Sequence, residues 1–205
     1  MQKKTVVGLL GQAGSGKSTA ARLLRDFYGA EILSIARPVK LMAQAIFGFT
    51  DEQVFGDAKA KETVDPRWGI TPRKALQDLA MAGRKHLGED VWIRPVLNYV
   101  KQPSTESTLF AIEDMRFEIE ASLVMGLWNA SVVTPDISFT GHVLRLTCED
   151  SISTDDGTHA TESEVSQVPA ELITEDILSH VTPDSAHLKH QIMGALERLD
   201  IARVA

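Results

Sequence analysis

The sequence has only one cysteine, Cys148, among its 205 residues. A lone cysteine excludes an internal disulfide framework and suits a reducing compartment. The chain also lacks any run of about 20 apolar residues that could span a membrane, and its N-terminus shows no signal-peptide core. We therefore expect a soluble, cytoplasmic protein with no membrane partner.

Positive charge is scarce as well. The 21 Lys and Arg residues are outnumbered by 28 Asp and Glu residues, which gives a formal net charge of −7. Because a nucleic-acid-binding surface needs clustered Lys and Arg, this balance predicts a small substrate and no nucleic-acid partner. A length of 205 residues suits a single domain, residues 1–205, with a full hydrophobic core.

What the sequence does contain is a phosphate-binding loop at residues 11–19, GQAGSGKST. It matches G-x-x-x-x-G-K-[ST], and it lies between a β-branched apolar segment and a run of good helix formers. Glycines allow backbone N–H groups to face phosphate oxygens, and the dipole of the following helix adds positive potential. The loop predicts a nucleoside triphosphate site whose phosphate ligands are Gly14, Ser15, Gly16, Lys17, Ser18 and Thr19.

Two side chains of this loop have distinct predicted roles. Lys17 is placed to reach the β- and γ-phosphates as a mobile charge, and the Ser18 hydroxyl is placed to coordinate the Mg²⁺ that accompanies the triphosphate. The loop alone does not distinguish a kinase from an ATPase or a switch. A guanine-binding switch needs N-K-x-D, but the only asparagines, Asn98 and Asn129, lie in no such context.

Strand and helix patterns alternate along the rest of the chain. After the strand that precedes the P-loop, further strands are predicted at 31–35, 109–112, 142–147 and 171–173. A closing helix is predicted at 185–199, and the segment 128–140 is predicted to be mostly loop. This order predicts the α/β class, a three-layer P-loop fold with a central, mostly parallel sheet.

Residues 50–100 interrupt the alternation with helical patterns. We interpret the stretch with a short capped helix at 51–54 and charged residues at 57–62 as a mobile insertion. Thr71 and Pro72 then begin a long helix on which Arg73, Gln77 and Arg84 share one side. That side is either a solvated surface or part of a site next to the triphosphate.

Other polar candidates follow the predicted strands. Lys40 lies one turn into the helix after the second strand, where a cation either reaches a second phosphate or is simply solvated. Asp114 and Arg116 follow the third strand, where a carboxylate either binds Mg²⁺, water or substrate or caps the next helix. Trp92 is either a core aromatic or a wall against a base.

Together these motifs resemble the phage-type deoxynucleoside monophosphate kinases of the P-loop nucleoside-kinase superfamily. The resemblance covers most of the chain. It rests on the P-loop and on four further stretches: ARPVK at 36–40, PRKALQ at 72–77 with Trp92 beyond it, DMRF at 114–117 with Glu120, and THATE at 158–162.

This resemblance implies a P-loop kinase fold and the ATP-dependent phosphorylation of a deoxynucleoside 5′-monophosphate, with Mg²⁺ as cofactor. It implies a helical substrate-binding insertion at 50–100 and a lid at 149–168, and the acidic, Ser- and Thr-rich composition of 149–164 agrees with a lid. A phage-encoded chain would work in the host cytoplasm. The resemblance leaves a homodimer open.

The resemblance also implies roles for particular residues. The catalytic residues would be Lys17, Arg73, Asp114 and Arg116. The monophosphate side would comprise Lys40, Arg73, Trp92, Asp114, Arg116 and Glu120, to which the shared helix face adds Gln77 and Arg84. His159 and Glu162 would belong to the lid.

The sequence departs from the family after the fourth strand. Where family members often carry Arg-Pro, this chain has Cys148-Glu149-Asp150, and beyond Leu146 its only arginines are Arg198 and Arg203. The charge of a lid arginine must then come from Arg73, Arg84, Arg116 or Arg145. Ala80-Met81 stands where the family has Gly-Thr, which leaves the base preference open.

Two alternative functions stay open. Dephospho-CoA kinase shares the P-loop and the size, but the stretch SIAR at 34–37 lacks the Asp-rich segment expected there. A P-loop ATPase or nucleotide-dependent switch is the other, and it would hydrolyse the triphosphate without an acceptor.

Overall fold

The computed structural model describes residues 2–12, 14–126, 137–148, 164–179 and 185–204. Its centre is a parallel five-stranded sheet with the strand order β2-β3-β1-β4-β5. The predicted α/β class with a parallel central sheet is confirmed. The strands are β1 (Gln2–Leu10), β2 (Glu31–Leu33), β3 (Leu109–Met115), β4 (Ile137–Cys148) and β5 (Glu175–Ser179).

Helices connect the strands, as parallel neighbours require. They are α1 (Lys17–Tyr28), α2 (Arg37–Phe47), α3 (Asp51–Phe55), α4 (Ala58–Glu62), α5 (Pro72–Leu87), α6 (Ile93–Val100), α7 (Glu118–Gly126) and α8 (Ser185–Arg198). A short 3₁₀ helix spans Ala170–Leu172. Within the described ranges, no helix combines the length and the apolar content that crossing a bilayer requires.

The chain divides into two compact units, and the first of them, Met1–Ser34 with Asn98–Ala205, contains the sheet. Alternate residues of a strand point to opposite faces, so Val7 and Leu9 of β1 and Leu144 of β4 share one face. There they form a buried core with α1 and α8. Helix α7 packs on β1 and β4 from the other face. The result is the predicted three-layer arrangement.

One buried lysine ties the sheet to a helix end. Lys4 on β1 is fully buried, and its Nζ donates to the carbonyl oxygens of Val100, 3.0 Å away, and Gln102, 2.7 Å away. These carbonyls lie at the C-terminal end of α6, where the helix dipole favours a cation. Burial lowers the pKa of Lys4, and the charge of Glu31 opposes that shift.

The second unit, Ile35–Leu97, is helical. Its small core holds Ala43, Phe49, Val54 and Ala75. Helix α3 begins with a capping box, in which Thr50 and Gln53 each bond the other's backbone N–H. The predicted start of α5 at Thr71 and Pro72 is confirmed, since the Thr71 hydroxyl accepts the Lys74 N–H at 3.1 Å. The charged stretch 57–62, interpreted as mobile, contains the helix α4.

Two boundaries in the second half of the chain differ from the sequence-based expectations. Residues 137–140, expected in a loop, begin β4, because the whole length of β1 from Gln2 to Leu10 pairs with that strand. The strand expected at 171–173 is the 3₁₀ helix, and β5 starts at Glu175 instead. The cause is Thr174, which exchanges hydrogen bonds with the Val143 backbone and so sets where pairing with β4 begins.

Candidate functional site

Strand β1 delivers the P-loop to the carboxyl edge of the sheet. Gly14 and Gly16 have φ angles of 80° and 91°, a left-handed backbone that L side chains rarely adopt. Gly11 is needed for a different reason. A Cβ on Gly11 would lie 2.6 Å from the carbonyl oxygen of Leu146 and 2.5 Å from Ser15 Oγ, so only glycine lets the loop approach β4 this closely.

Lys17, the first residue of α1, turns back over the loop. Its Nζ donates to the carbonyl oxygens of Gly11 at 2.6 Å and Gln12 at 2.5 Å, and the residue is only 9% exposed. Ser18 in the same first turn is exposed. The loop therefore holds an ammonium group, a hydroxyl and the N-terminus of α1 close together, which is the donor set that phosphate groups require.

Asp114 lies next to this loop at the edge of the sheet. It falls inside β3, not beyond its end as expected, and β3 pairs with β1 so that Met115 is opposite Leu10. Asp114 accepts a hydrogen bond of 2.6 Å from the Ser34 hydroxyl, which follows β2. Neighbouring parallel strands thus carry Asp114 and the P-loop to one edge.

Ser18 and Asp114 are suitable ligands for Mg²⁺. Both offer hard oxygen donors, and Mg²⁺ in nucleotide sites binds one or two protein oxygens and completes its shell with phosphates and water. In the described part of the chain, no three His, Cys, Asp or Glu side chains cluster as a dedicated metal site. A Mg²⁺ ion that arrives with its nucleotide fits this donor set.

Glu120 stabilises the turn that follows β3. It is 4% exposed, and its carboxylate accepts the backbone N–H groups of Arg116 at 2.8 Å and Phe117 at 3.1 Å. Glu120 occupies the third position of α7, where a Glu reaches back to cap the helix. It therefore fixes the backbone that carries Arg116.

The remaining residues predicted for the monophosphate side belong to the helical unit. They are Lys40 on α2, then Arg73, Gln77 and Arg84 on α5, and Trp92 just before α6. Trp92 is 8% exposed, and its Nε1 donates to the Ala80 carbonyl at 2.9 Å. Its ring packs directly on Gly83, so closely that a Cβ on that residue would overlap the ring. Asp114, Arg116 and Glu120 belong to the sheet unit.

A cavity of about 260 Å³ opens beside the P-loop within the sheet unit. Gln12 and Ser15 line it, together with Arg145 of β4 and Val165 and Ser166. Arg145 lies opposite Asp176 of β5, and it donates to both carboxylate oxygens of that residue at 2.6 and 2.9 Å. This hydrogen-bonded pair raises the pKa of Arg145 above its usual value.

The predicted lid falls almost entirely outside the described residues. His159 and Glu162 lie there, as do all of residues 149–163.

Sequence reasoning also missed three residues that the structure connects to candidate positions: Ser34 bonds Asp114, Asp176 bonds Arg145, and Lys61 lies near Arg73. No sequence pattern marks these three residues, and they are identified only by their interactions with Asp114, Arg145 and Arg73 in the folded chain.

A curated relative supports the family suggested by the motifs. Over 138 residues the chain is 36% identical to a protein of Acanthamoeba polyphaga mimivirus named "Putative deoxynucleotide monophosphate kinase", a match that covers 60% of this chain and 69% of that protein. This chain belongs to the deoxynucleotide monophosphate kinase family. The protein is therefore a phosphotransferase of the nucleotide-kinase type.

No protein-family model matches this kinase. Solved structures align with almost all of it at low similarity. They include TT1252 from Thermus thermophilus, with a TM-score of 0.49 and 16% identity over 97% of this chain and 98% of that one. Dephospho-CoA kinase from Campylobacter jejuni aligns with a TM-score of 0.46 and 15% identity over 96% of this chain and 97% of that one. Structural similarity at TM-scores below 0.5 says nothing about the substrate, so any statement about the substrate depends on the residues of the site.

Proposed function

We propose that this kinase transfers the γ-phosphoryl group of ATP to the 5′-phosphate of a deoxynucleoside monophosphate. The observation that carries the proposal is the edge of the sheet, where Lys17 curls over the P-loop and Asp114 lies near the carboxyl end of the neighbouring strand. The name of the mimivirus relative supports the class of acceptor. The dephospho-CoA kinase alternative has a structural neighbour at only 15% identity, and both it and an acceptor-independent ATPase are tested by the assay below.

On the donor side, the P-loop backbone and Lys17 bind the triphosphate. Ser18 and Asp114 would hold Mg²⁺, which would neutralise negative charge on the phosphates of the donor nucleotide. Lys17 donates to two loop carbonyls, and its ammonium would exchange them for phosphate oxygens when a triphosphate enters the loop. Thr19, one residue further into α1, completes the donor-side set.

On the acceptor side, the chemistry demands positioning and charge neutralisation. The acceptor phosphate is already anionic, so no covalent intermediate is needed. Two unit charges of like sign about 4 Å apart repel by roughly 4 kcal/mol at an effective dielectric constant near 20, and donor and acceptor bring several such charges together. We assign this neutralisation to Lys40, Arg73, Arg84 and Arg116, with Gln77, Trp92, Asp114 and Glu120 positioning the nucleotide.

Arg145 is the arginine that we assign in place of a lid arginine. It lines the cavity that Gln12 and Ser15 of the P-loop also line, so it would lie next to the phosphates of a donor bound in that loop. Its pairing with Asp176 holds the guanidinium in place. Closure of residues 149–168, with His159 and Glu162, would exclude water from the transfer and limit loss of ATP by hydrolysis.

A coupled assay of ADP release tests the proposal. The acceptors are dAMP, dCMP, dGMP, dTMP, their ribose counterparts and dephospho-CoA, each offered with Mg²⁺ and ATP. We expect turnover with at least one deoxynucleotide and discrimination against its ribose analogue, because a wall such as Trp92 excludes the 2′-hydroxyl or leaves it unpaired. Turnover of dephospho-CoA alone, or equal ADP release without any acceptor, contradicts the proposal.

A further inference from the structure

Three cationic side chains from three helices converge in the helical unit. Lys40 of α2 places its Nζ 5.1 Å from the centroid of the Phe55 ring. Lys61 of α4 donates from its Nζ to the carbonyl oxygen of Gly56 at 2.5 Å. Residues 55 and 56 are adjacent at the end of α3, and the Lys40 charge is close enough to Lys61 to act on its ammonium group.

Arg73 brings the third positive charge to this point. It lies in the first turn of α5, which packs against α4, and its Nε donates to Glu62, the residue that follows Lys61. The two terminal nitrogens of this guanidinium make no hydrogen bond to any described residue. They are the pair of donors with which an arginine binds a phosphate group in a forked geometry.

Grouping three positive charges in this way is electrostatically unfavourable for the protein in the absence of a bound anion. The chain carries a net charge of −7, yet Lys40, Lys61 and Arg73 are all partly buried near one another. Burial and the neighbouring charges of Lys40 and Arg73 lower the pKa of Lys61, and only Asp57 opposes that shift. Glu62 neutralises one charge of the three. Grouped like charges of this kind are characteristic of sites that bind an anion.

We propose that Lys61 is a phosphate ligand of this kinase and forms, with Lys40 and Arg73, a three-cation site for the phosphomonoester group of the acceptor. The assignment of that anion to the acceptor rests on the proposed function. A lysine suits this position because its flexible stem lets the ammonium exchange the Gly56 carbonyl for a phosphate oxygen.

The test compares Lys61→Gln with Lys59→Gln. Lys59 is on the same helix, is exposed, and carries the same charge, so it controls for net charge and for any change in α4. Calorimetry without ATP measures the binding of inorganic phosphate, dAMP, dCMP, dGMP and dTMP to each protein. Steady-state kinetics then give KM for the acceptor and for ATP, and thermal melting reports folding.

We expect Lys61→Gln to weaken nucleotide binding and raise the acceptor KM by about tenfold or more, since a charge-assisted hydrogen bond is lost. The KM for ATP should stay within about twofold of the wild-type value, because Lys17 and the P-loop are intact. Lys59→Gln should leave every value unchanged. Lys61→Arg, which keeps the charge, should regain most of the binding and excludes a purely structural cause.

Unchanged nucleotide binding in a folded Lys61→Gln protein overturns the inference. So does an equal loss in Lys59→Gln, an equal rise in the KM for ATP, or a wild-type protein that binds neither phosphate nor any of the four nucleotides. The two proposals fail separately. Wild-type protein that binds a nucleotide through Lys61 but releases no ADP contradicts the proposed function and keeps the anion site.

Discussion

Lys17 joins the P-loop to α1 through the hydrogen bonds from its ammonium to the carbonyl oxygens of Gly11 and Gln12. In Lys17→Ala we expect turnover to fall at least about a hundredfold, because a preorganised positive charge on the transferred phosphate is lost. The free energy of unfolding should fall by only about 1 to 3 kcal/mol, because the buried Gly11 carbonyl loses its donor but no apolar core is disturbed. Arg22→Ala, on an exposed position of the same helix, is the control. Near-normal turnover in Lys17→Ala contradicts the assignment of the P-loop.

Gly83 and Gly194 are both inside helices but have opposite surroundings. A Cβ on Gly83 would come within 2.8 Å of Trp92 Cε2, whereas one on Gly194 would meet only Arg198 Nη1 at 3.5 Å. Gly194→Ala should therefore stabilise the protein by about 0.5 to 1 kcal/mol through helix propensity. Gly83→Ala should destabilise it by about 1 to 3 kcal/mol, because the Trp92 ring has to move.

Urea unfolding of the two alanine variants measures these changes. In a Trp68→Phe, Trp128→Phe background, Trp92 also gives a local fluorescence signal, since its hydrogen bond to the Ala80 carbonyl fixes the indole in the helical unit. A shift of the Trp92 emission in Gly83→Ala but not in Gly194→Ala supports the overlap between the new Cβ and the Trp92 ring. Stabilisation of both variants to the same extent contradicts the packing of Trp92 on Gly83.

At the scale of elements, Asp65 joins α3 to the segment that leads into α5. Its carboxylate is buried and accepts from the Arg67 side chain and backbone and from Gln53 Nε2 on α3. These hydrogen bonds, chiefly that from Arg67, hold the pKa of Asp65 well below its usual range. The charged form of Asp65 is therefore the form that the folded helical unit requires.

The direction of the pH dependence follows from the lowered pKa. The unfolded chain takes up a proton at the ordinary pKa of an Asp, about 3.9, while the folded protein does not. The stabilisation by Asp65 is thus complete above that pH and is lost as the pH falls below it. Denaturant midpoints between pH 7 and pH 3 should decline more in the wild type than in Asp65→Asn. The exposed control Asp78→Asn should decline like the wild type, and a decline equal in all three proteins contradicts the role of Asp65.

At the scale of the whole molecule, the distribution of charge matters more than its sum. The net charge is −7, yet several cations are concentrated near candidate phosphate positions. We expect the protein to bind phosphomonoesters but to cause no mobility shift of duplex DNA at physiological salt. The composition has fewer Lys and Arg than Asp and Glu residues, which disfavours an extended basic surface. Competition is the check: if duplex DNA displaces a bound mononucleotide at such salt, the predicted absence of a nucleic-acid partner is wrong.

The sequence by itself determined the features that depend on residues adjacent along the chain. The P-loop, the capped start of α3 and the Thr71-Pro72 start of α5 were all predictable, because their hydrogen bonds join residues at most a few positions apart. Periodicity likewise predicted the alternating strands and helices, and hence a parallel sheet with the P-loop at its carboxyl edge.

Only the tertiary structure decided which distant residues become partners. The early start of β4 depends on pairing with the full length of β1, and the placement of β5 depends on Thr174 meeting Val143. The convergence of Lys61 with Lys40 and Arg73 depends on how three helices pack. Local propensity fixes a residue's own helix or strand, whereas the charge and contacts around its side chain are set by segments far away in the sequence, which no local pattern specifies.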